Sequence, residues 1–119
     1  MPHYQLLYYE THGDKNLPAV LFLHGFLGNG NSWHEIIETL QKNYFCITVD
    51  LPGHGQSLSV EESQYKMPEC AKLIIKTIEK LKINKFSLTG YSMGGRLGLF
   101  MALNYPDRLN KVILESSSP

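Results

Sequence analysis

Apolar residues along this chain follow two alternating rhythms. Residues 19–23 (Ala-Val-Leu-Phe-Leu) and 45–50 (Phe-Cys-Ile-Thr-Val-Asp) are near-continuous apolar runs, the pattern of strands covered on both faces. Residues 85–89 and 111–115 read as two further short strands. Residues 4–9, rich in tyrosine and leucine, predict an antiparallel strand at the sheet edge, followed by a turn over Thr11-His12-Gly13-Asp14-Lys15-Asn16. Between these runs the period lengthens. Trp33, Ile36, Ile37 and Leu40 make one apolar face of a helix that Ser32 can cap. Cys70, Leu73, Ile74, Ile78 and Leu81 do the same over 67–81, and Leu97, Phe100, Met101 and Leu103 recur at near-helical spacing over 95–105 until Tyr105-Pro106-Asp107 stops the helix. Strands alternating with helices predict an α/β architecture: a mainly parallel sheet with helices on both faces and right-handed crossovers. Ligands of such sheets sit beyond the carboxyl ends of the strands. Three glycine-bearing segments, 24–30, 50–57 and 90–95, fall there.

Composition narrows the chemistry. A chain of 119 residues makes one domain at most, and its 11 basic residues balance its 11 acidic ones, so no basic face for nucleic acid or an anionic membrane is implied. A small molecule is the expected partner. The two cysteines, Cys46 and Cys70, lack metal-ligand spacing, and Cys46 in its apolar run reads as a buried free thiol in a reducing compartment. The start lacks the charged-then-apolar order of a leader, and no apolar stretch approaches a membrane span, so a cytoplasmic location is expected. The segment 90–95 is neither a Walker A loop nor a dinucleotide fingerprint.

The segment Leu88-Thr89-Gly90-Tyr91-Ser92-Met93-Gly94-Gly95-Arg96 runs from a strand through Gly-x-Ser-x-Gly into a helix. This is the pattern of a nucleophile elbow, with Ser92 as nucleophile or base. A serine forced to positive φ needs neighbours without side chains two residues away on either side, and Gly90 and Gly94 meet that need. Its hydroxyl then stands at a helix N-terminus, where unpaired N–H groups and the helix dipole favour an oxyanion. Bare Gly-x-Ser-x-Gly also occurs by chance in turns; the flanking strand and helix distinguish this one.

His24-Gly25-Phe26, Asp50-Leu51-Pro52-Gly53-His54-Gly55-Gln56-Ser57 and Gly90-Tyr91-Ser92-Met93-Gly94-Gly95, in this order and spacing, resemble the α/β-hydrolase superfamily over nearly the whole chain. Within it, Gly-Tyr-Ser-Met-Gly-Gly-Arg with the Phe26 and Asp50 motifs is most similar to the 2-succinyl-6-hydroxy-2,4-cyclohexadiene-1-carboxylate synthases, the MenH enzymes of menaquinone and phylloquinone synthesis. The resemblance implies a lyase step on a hydrolase fold, without metal or organic cofactor, that eliminates pyruvate from a small carboxylate substrate. Ser92, activated by a histidine, would abstract a proton, and the backbone N–H groups of Phe26 and Met93 would hold the oxyanion. Arg96 matches the carboxylate-binding arginine, and Tyr91 would contact the same ligand. The plainer alternatives are a solvent-facing Arg96 and a core aromatic at Phe26. His24 and His54 read as structural, His3, His12 and His34 as solvated, and Asp50 as tying down its loop.

A complete triad of this superfamily runs serine, acid, histidine along the chain, whereas all five histidines here precede Ser92. A serine without that base keeps a high pKa and is a weak nucleophile. The expectation is therefore an N-terminal portion, residues 1–119, of a single α/β-hydrolase domain, lacking lid and carboxyl-terminal strands and inactive alone, with the 111–115 strand left as an exposed apolar edge. Two other readings compete. A serine esterase or acyl hydrolase needs the same turn but no Arg96, and a non-catalytic protein retaining half the fold needs neither.

Overall fold

A computed structural model describes residues 7–25, 33–51 and 66–115. Its core is a five-stranded sheet of β1 (Tyr9–His12), β2 (Ala19–Leu23), β3 (Phe45–Val49), β4 (Phe86–Tyr91) and β5 (Leu109–Glu115), in the order β1-β3-β2-β4-β5. All neighbouring pairs are parallel except β1 with β3. The apolar runs β2 and β3 occupy the middle, as their composition demands.

Among the described residues three helices connect the strands: α1 (His34–Leu40), α2 (Met67–Lys80) and α3 (Met93–Asn104), with a short 3-10 turn at Pro106–Arg108 before β5. Alternation along each strand divides the sheet into two faces. One face carries Leu21, Leu23, Ile47, Val49, Phe86 and Leu88, which form a buried cluster with Cys70, Leu73, Ile74 and Ile78 of α2 and Leu97 and Met101 of α3. Phe22 and Cys46 lie on the other face and pack with Trp33 and Ile37 at α1, the Phe22 and Trp33 rings 5.2 Å apart and tilted by 48°. This second face is covered by α1 over its β2 and β3 half.

Several boundaries differ from those the periodicity predicts. The edge strand is antiparallel, as expected, but runs over Tyr9–His12, so Thr11 and His12 are strand and the turn begins at Gly13. Its position is set by pairing with β3, from Tyr9 opposite Val49 to His12 opposite Cys46, rather than by its own apolar content. The strand before Ser92 continues through Tyr91, and α3 begins at Met93, earlier than 95. The helical rhythm places Ile36 and Leu103 towards the core, but both face outward, 49% and 74% exposed, because Ile37 and Met101 already fill the inward positions of their turns. Ser32, the 28–32 loop, residues 4–6, His3, His54 and the 52–57 loop lie outside the described residues.

α2 ends in a Schellman motif: the Ile83 N–H donates to the Ile78 carbonyl (3.2 Å) and the Lys82 N–H to the Glu79 carbonyl (2.9 Å). Lys82 takes φ +61° there, a conformation in which a Cβ crowds the following carbonyl. Lys82→Gly is expected to stabilise the chain by about 1 kcal/mol, read as a raised urea midpoint at unchanged slope.

Candidate active site

Ser92 stands where β4 passes into α3, with φ +53° and ψ −113°. Its N–H donates to the Glu115 carbonyl on β5 (2.9 Å), and its own carbonyl accepts the Arg96 N–H (3.0 Å). The turn is thus held from the neighbouring strand as well as by its own helix. No sequence signal marks Glu115 for this role, because the β4–β5 register shifts between Phe86 and Leu88. Ser92 is half-buried, and its side chain makes no capping hydrogen bond to α3. The hydroxyl is uncommitted among the described residues.

The glycines around it permit close approach. A Cβ on Gly90 would stand 2.5 Å from the Gly94 carbonyl oxygen, and one on Gly94 would run into the carbonyl oxygens of Leu23 and His24. The first turn of α3 therefore lies directly on the carboxyl end of β2. A Cβ on Gly25 would lie 2.9 Å from Cδ1 of Tyr91 and 3.5 Å from Cβ of Ser92. Two segments distant in sequence meet at Ser92.

His24 fastens this arrangement from beneath. It is 1% exposed, and the Leu51 N–H donates to its Nε2 (2.9 Å). Nε2 is therefore unprotonated and Nδ1 carries the hydrogen, which it donates to the Gly25 carbonyl (2.7 Å). One imidazole joins the end of β2 to the end of β3. With both nitrogens engaged, His24 is structural and does not serve Ser92 as base. Asp50, next to Leu51, is buried, and its N–H donates to the Tyr8 carbonyl (2.9 Å), continuing the β1–β3 pairing by one residue. The Leu51 N–H contact spans 27 residues, so the sequence motifs mark its endpoints without their pairing.

Met93 is the first residue of α3, where N–H groups lack intrahelical acceptors. Arg96 lies one turn beyond Ser92, exposed, and among the described residues its guanidinium has no carboxylate partner. Tyr91 ends β4, 45% exposed, with its ring against Gly25. Phe26 lies outside the described residues. His34 is exposed and His12 half-buried in the edge strand. Cys46 and Cys70 are buried in separate clusters and are not joined by a disulfide. Burial and then Glu69 push the Cys70 thiol up to about 11, which leaves it inert at neutral pH. Among the described residues no group of three or more His, Cys, Asp or Glu side chains could hold a metal ion. None of the helices among those residues is long and apolar enough to cross a membrane.

Residues 18–119 match the family described as the alpha/beta hydrolase fold. The chain belongs to that family. Among its α/β-hydrolase relatives, the 2-succinyl-6-hydroxy-2,4-cyclohexadiene-1-carboxylate synthase of Escherichia coli O1:K1 is 37% identical over 108 residues, which are 91% of this chain and 42% of that protein. Protein PHYLLO, chloroplastic, of Arabidopsis thaliana is 39% identical over 108 residues, 85% of this chain and 6% of that much longer protein. The solved structure of MenH from S. aureus superposes with a TM-score of 0.82 at 37% identity, covering 93% of this chain and 42% of that one. The chain thus spans well under half the length of these synthases.

Proposed function

We propose that Ser92 is the reactive serine of a MenH-like lyase, an enzyme that breaks a carbon–oxygen bond to release pyruvate and form 2-succinyl-6-hydroxy-2,4-cyclohexadiene-1-carboxylate. In this reading the turn at Ser92 is a nucleophile elbow. A histidine takes the Ser92 proton, and the alkoxide abstracts the substrate proton. The N–H groups of Met93 and Phe26 hold the developing oxyanion, each such donor lowering the barrier by about 2.7–4 kcal/mol. Arg96 grips a substrate carboxylate, and Tyr91 packs against the same ligand. A planar guanidinium offers two parallel hydrogen bonds that lysine cannot copy.

The observation that carries this reading is Arg96: a guanidinium with no carboxylate partner among the described residues, one helical turn from a strained serine, suits an acidic substrate, in a chain 37% identical to a 2-succinyl-6-hydroxy-2,4-cyclohexadiene-1-carboxylate synthase. A plain esterase needs no cation at this position. The test joins residues 1–119 to the carboxyl-terminal part of the E. coli synthase and follows pyruvate release. Arg96→Ala is expected to lower kcat/KM about 10²-fold, matching the roughly 1.5–3 kcal/mol of a charged hydrogen bond, and Arg96→Lys to recover only part of it. Unchanged pyruvate release in Arg96→Ala would remove the arginine's role. Hydrolysis of small neutral esters that ignores Arg96, without pyruvate release, would favour the esterase.

A further inference from the structure

The equal numbers of acidic and basic residues conceal a separation of charge along the strands. The parallel strands β2 to β5 all begin at one end of the sheet, and each helix ends only a few residues before the strand that follows it, so the helix carboxyl ends lie there too. Five lysines occupy this end: Lys15 before β2, Lys42 between α1 and β3, Lys82 and Lys85 between α2 and β4, and Lys111 near the start of β5. Contacts join their segments into one rim. A Cβ on Gly13 would meet the carbonyl oxygens of Tyr44 and Gln41, the Phe45 N–H donates to the Pro18 carbonyl (2.9 Å), and Arg108 donates to the carbonyl oxygens of Ile83 (3.2 Å) and Asn84 (2.6 Å). All five lysines are exposed, and none is in an ion pair among the described residues. The acids at this end are Asp14, Asp107 and Glu79, and Glu79 is paired with Arg108 at 3.5 Å. The opposite end, where Ser92 stands, carries Glu10, Glu35, Asp50, Glu69 and Glu115 against Lys66 and Arg96.

Helix dipoles explain part of this separation, since Glu35 and Glu69 lie in first turns. They do not explain Lys15, which precedes a strand, or Lys111, which lies within one. Lys82 is kept against the preference of its backbone, at φ +61° where glycine is easier. A residue retained at such a cost is retained for its side chain. The chemistry of the rim also narrows its partner. Arg108, the one arginine at this end, is committed to two carbonyls and Glu79, so no guanidinium fork is left to read a base or grip a single phosphate. Five ammonium groups remain, spread across the ends of the strands over roughly 15–20 Å at the usual strand spacing. Such an array matches a continuous layer of anionic headgroups better than one acidic pocket. Apolar groups stand beside the lysines: Tyr44, 39% exposed, follows Lys42, and Leu103, 74% exposed, is in the last turn of α3. Tyrosine and leucine suit the boundary between headgroups and acyl chains.

We propose that the amino end of the sheet is a basic face that docks this protein on an anionic lipid surface. Lys15, Lys42, Lys82, Lys85 and Lys111 lie against the headgroups, and Ser92 stands at the far end, towards water. The contact is peripheral, electrostatic and reversible, and it weakens with salt. It rests on charge placement alone, so it can hold where the lyase reading fails.

The test sediments the full chain with vesicles of phosphatidylglycerol and phosphatidylcholine in equal parts, and with vesicles of phosphatidylcholine alone, at low and at high salt. Binding to the anionic vesicles is expected to be at least tenfold stronger than to the neutral ones and to fall at high salt. Lys82→Glu combined with Lys85→Glu should weaken it at least tenfold. Lys66→Glu combined with Lys72→Glu, the same change in net charge placed on α2 away from the rim, should leave it near the parent value. Lys82→Gly separates binding from folding, because it should raise the urea midpoint and yet weaken vesicle binding about fivefold, the worth of one lysine near an anionic surface. Equal affinity for neutral vesicles, no binding to anionic vesicles at low salt, or equal losses in the two double variants would each overturn the proposal. So would tighter binding to duplex DNA than to the anionic vesicles, which would make nucleic acid the partner.

Discussion

Gly94→Ala is expected to destabilise the 119-residue chain by about 3 kcal/mol, the upper end of the usual cost of overpacking, with a correspondingly lower urea midpoint. The new Cβ would meet the carbonyl oxygens of Leu23 and His24, which are backbone atoms and cannot rotate away. β2 is paired on both sides, by β3 and β4, so it cannot retreat from α3. Gly98→Ala is the control on the same helix. There the Cβ would meet Cδ2 of Leu88 at 2.6 Å and Cδ2 of Leu114 at 3.2 Å, the movable ends of flexible side chains. Helix propensity favours alanine over glycine by up to about 1 kcal/mol, so Gly98→Ala should fall close to neutral. Equal losses at the two positions would mean that close backbone approach is not what holds glycine at 94.

Ser92→Gly is expected to stabilise the chain by about 1–3 kcal/mol, the strain carried by a residue with a side chain in a sparsely populated conformation. φ +53° with ψ −113° is such a conformation, and the serine hydroxyl makes no capping bond whose loss would offset the gain. Ser92→Ala keeps the Cβ and hence the strain, so its urea midpoint should stay within about 0.5 kcal/mol of the parent. Strain retained at one position, when glycine would relieve it, is the mark of a residue kept for its side chain. If Ser92→Gly and Ser92→Ala unfold at the same urea concentration, the turn stores no strain.

The parts of this fold legible from sequence are those that local chemistry dictates. Residues 19–23 are apolar at every position and form the central strand β2 with the same bounds, because burial on both faces leaves no room for a polar residue. The positive φ of Ser92 could be anticipated from Gly90 and Gly94 together with the strand and helix that flank them. Pairing decided the rest. β1 sits at 9–12 because β3 offers its edge there, although the tyrosines and leucines lie earlier. The hydrogen bond from the Leu51 N–H to His24 and the one from the Ser92 N–H to the Glu115 carbonyl join segments far apart in the chain, and no periodicity encodes them. Leu103 and Ile113 follow the apolar rhythm yet face outward, because periodicity identifies an apolar position without identifying what covers it.

The most direct measurement is pyruvate release from the substrate of 2-succinyl-6-hydroxy-2,4-cyclohexadiene-1-carboxylate synthase by residues 1–119 joined to the carboxyl-terminal part of the E. coli synthase, compared between the parent sequence and its Ser92→Ala variant. A MenH-like site predicts steady release with the serine in place and a fall of about 10²–10⁴-fold in the variant, the usual worth of a positioned proton-transfer group. A folded joined chain that releases no pyruvate, or one that releases it equally without the serine hydroxyl, would contradict the assignment of Ser92.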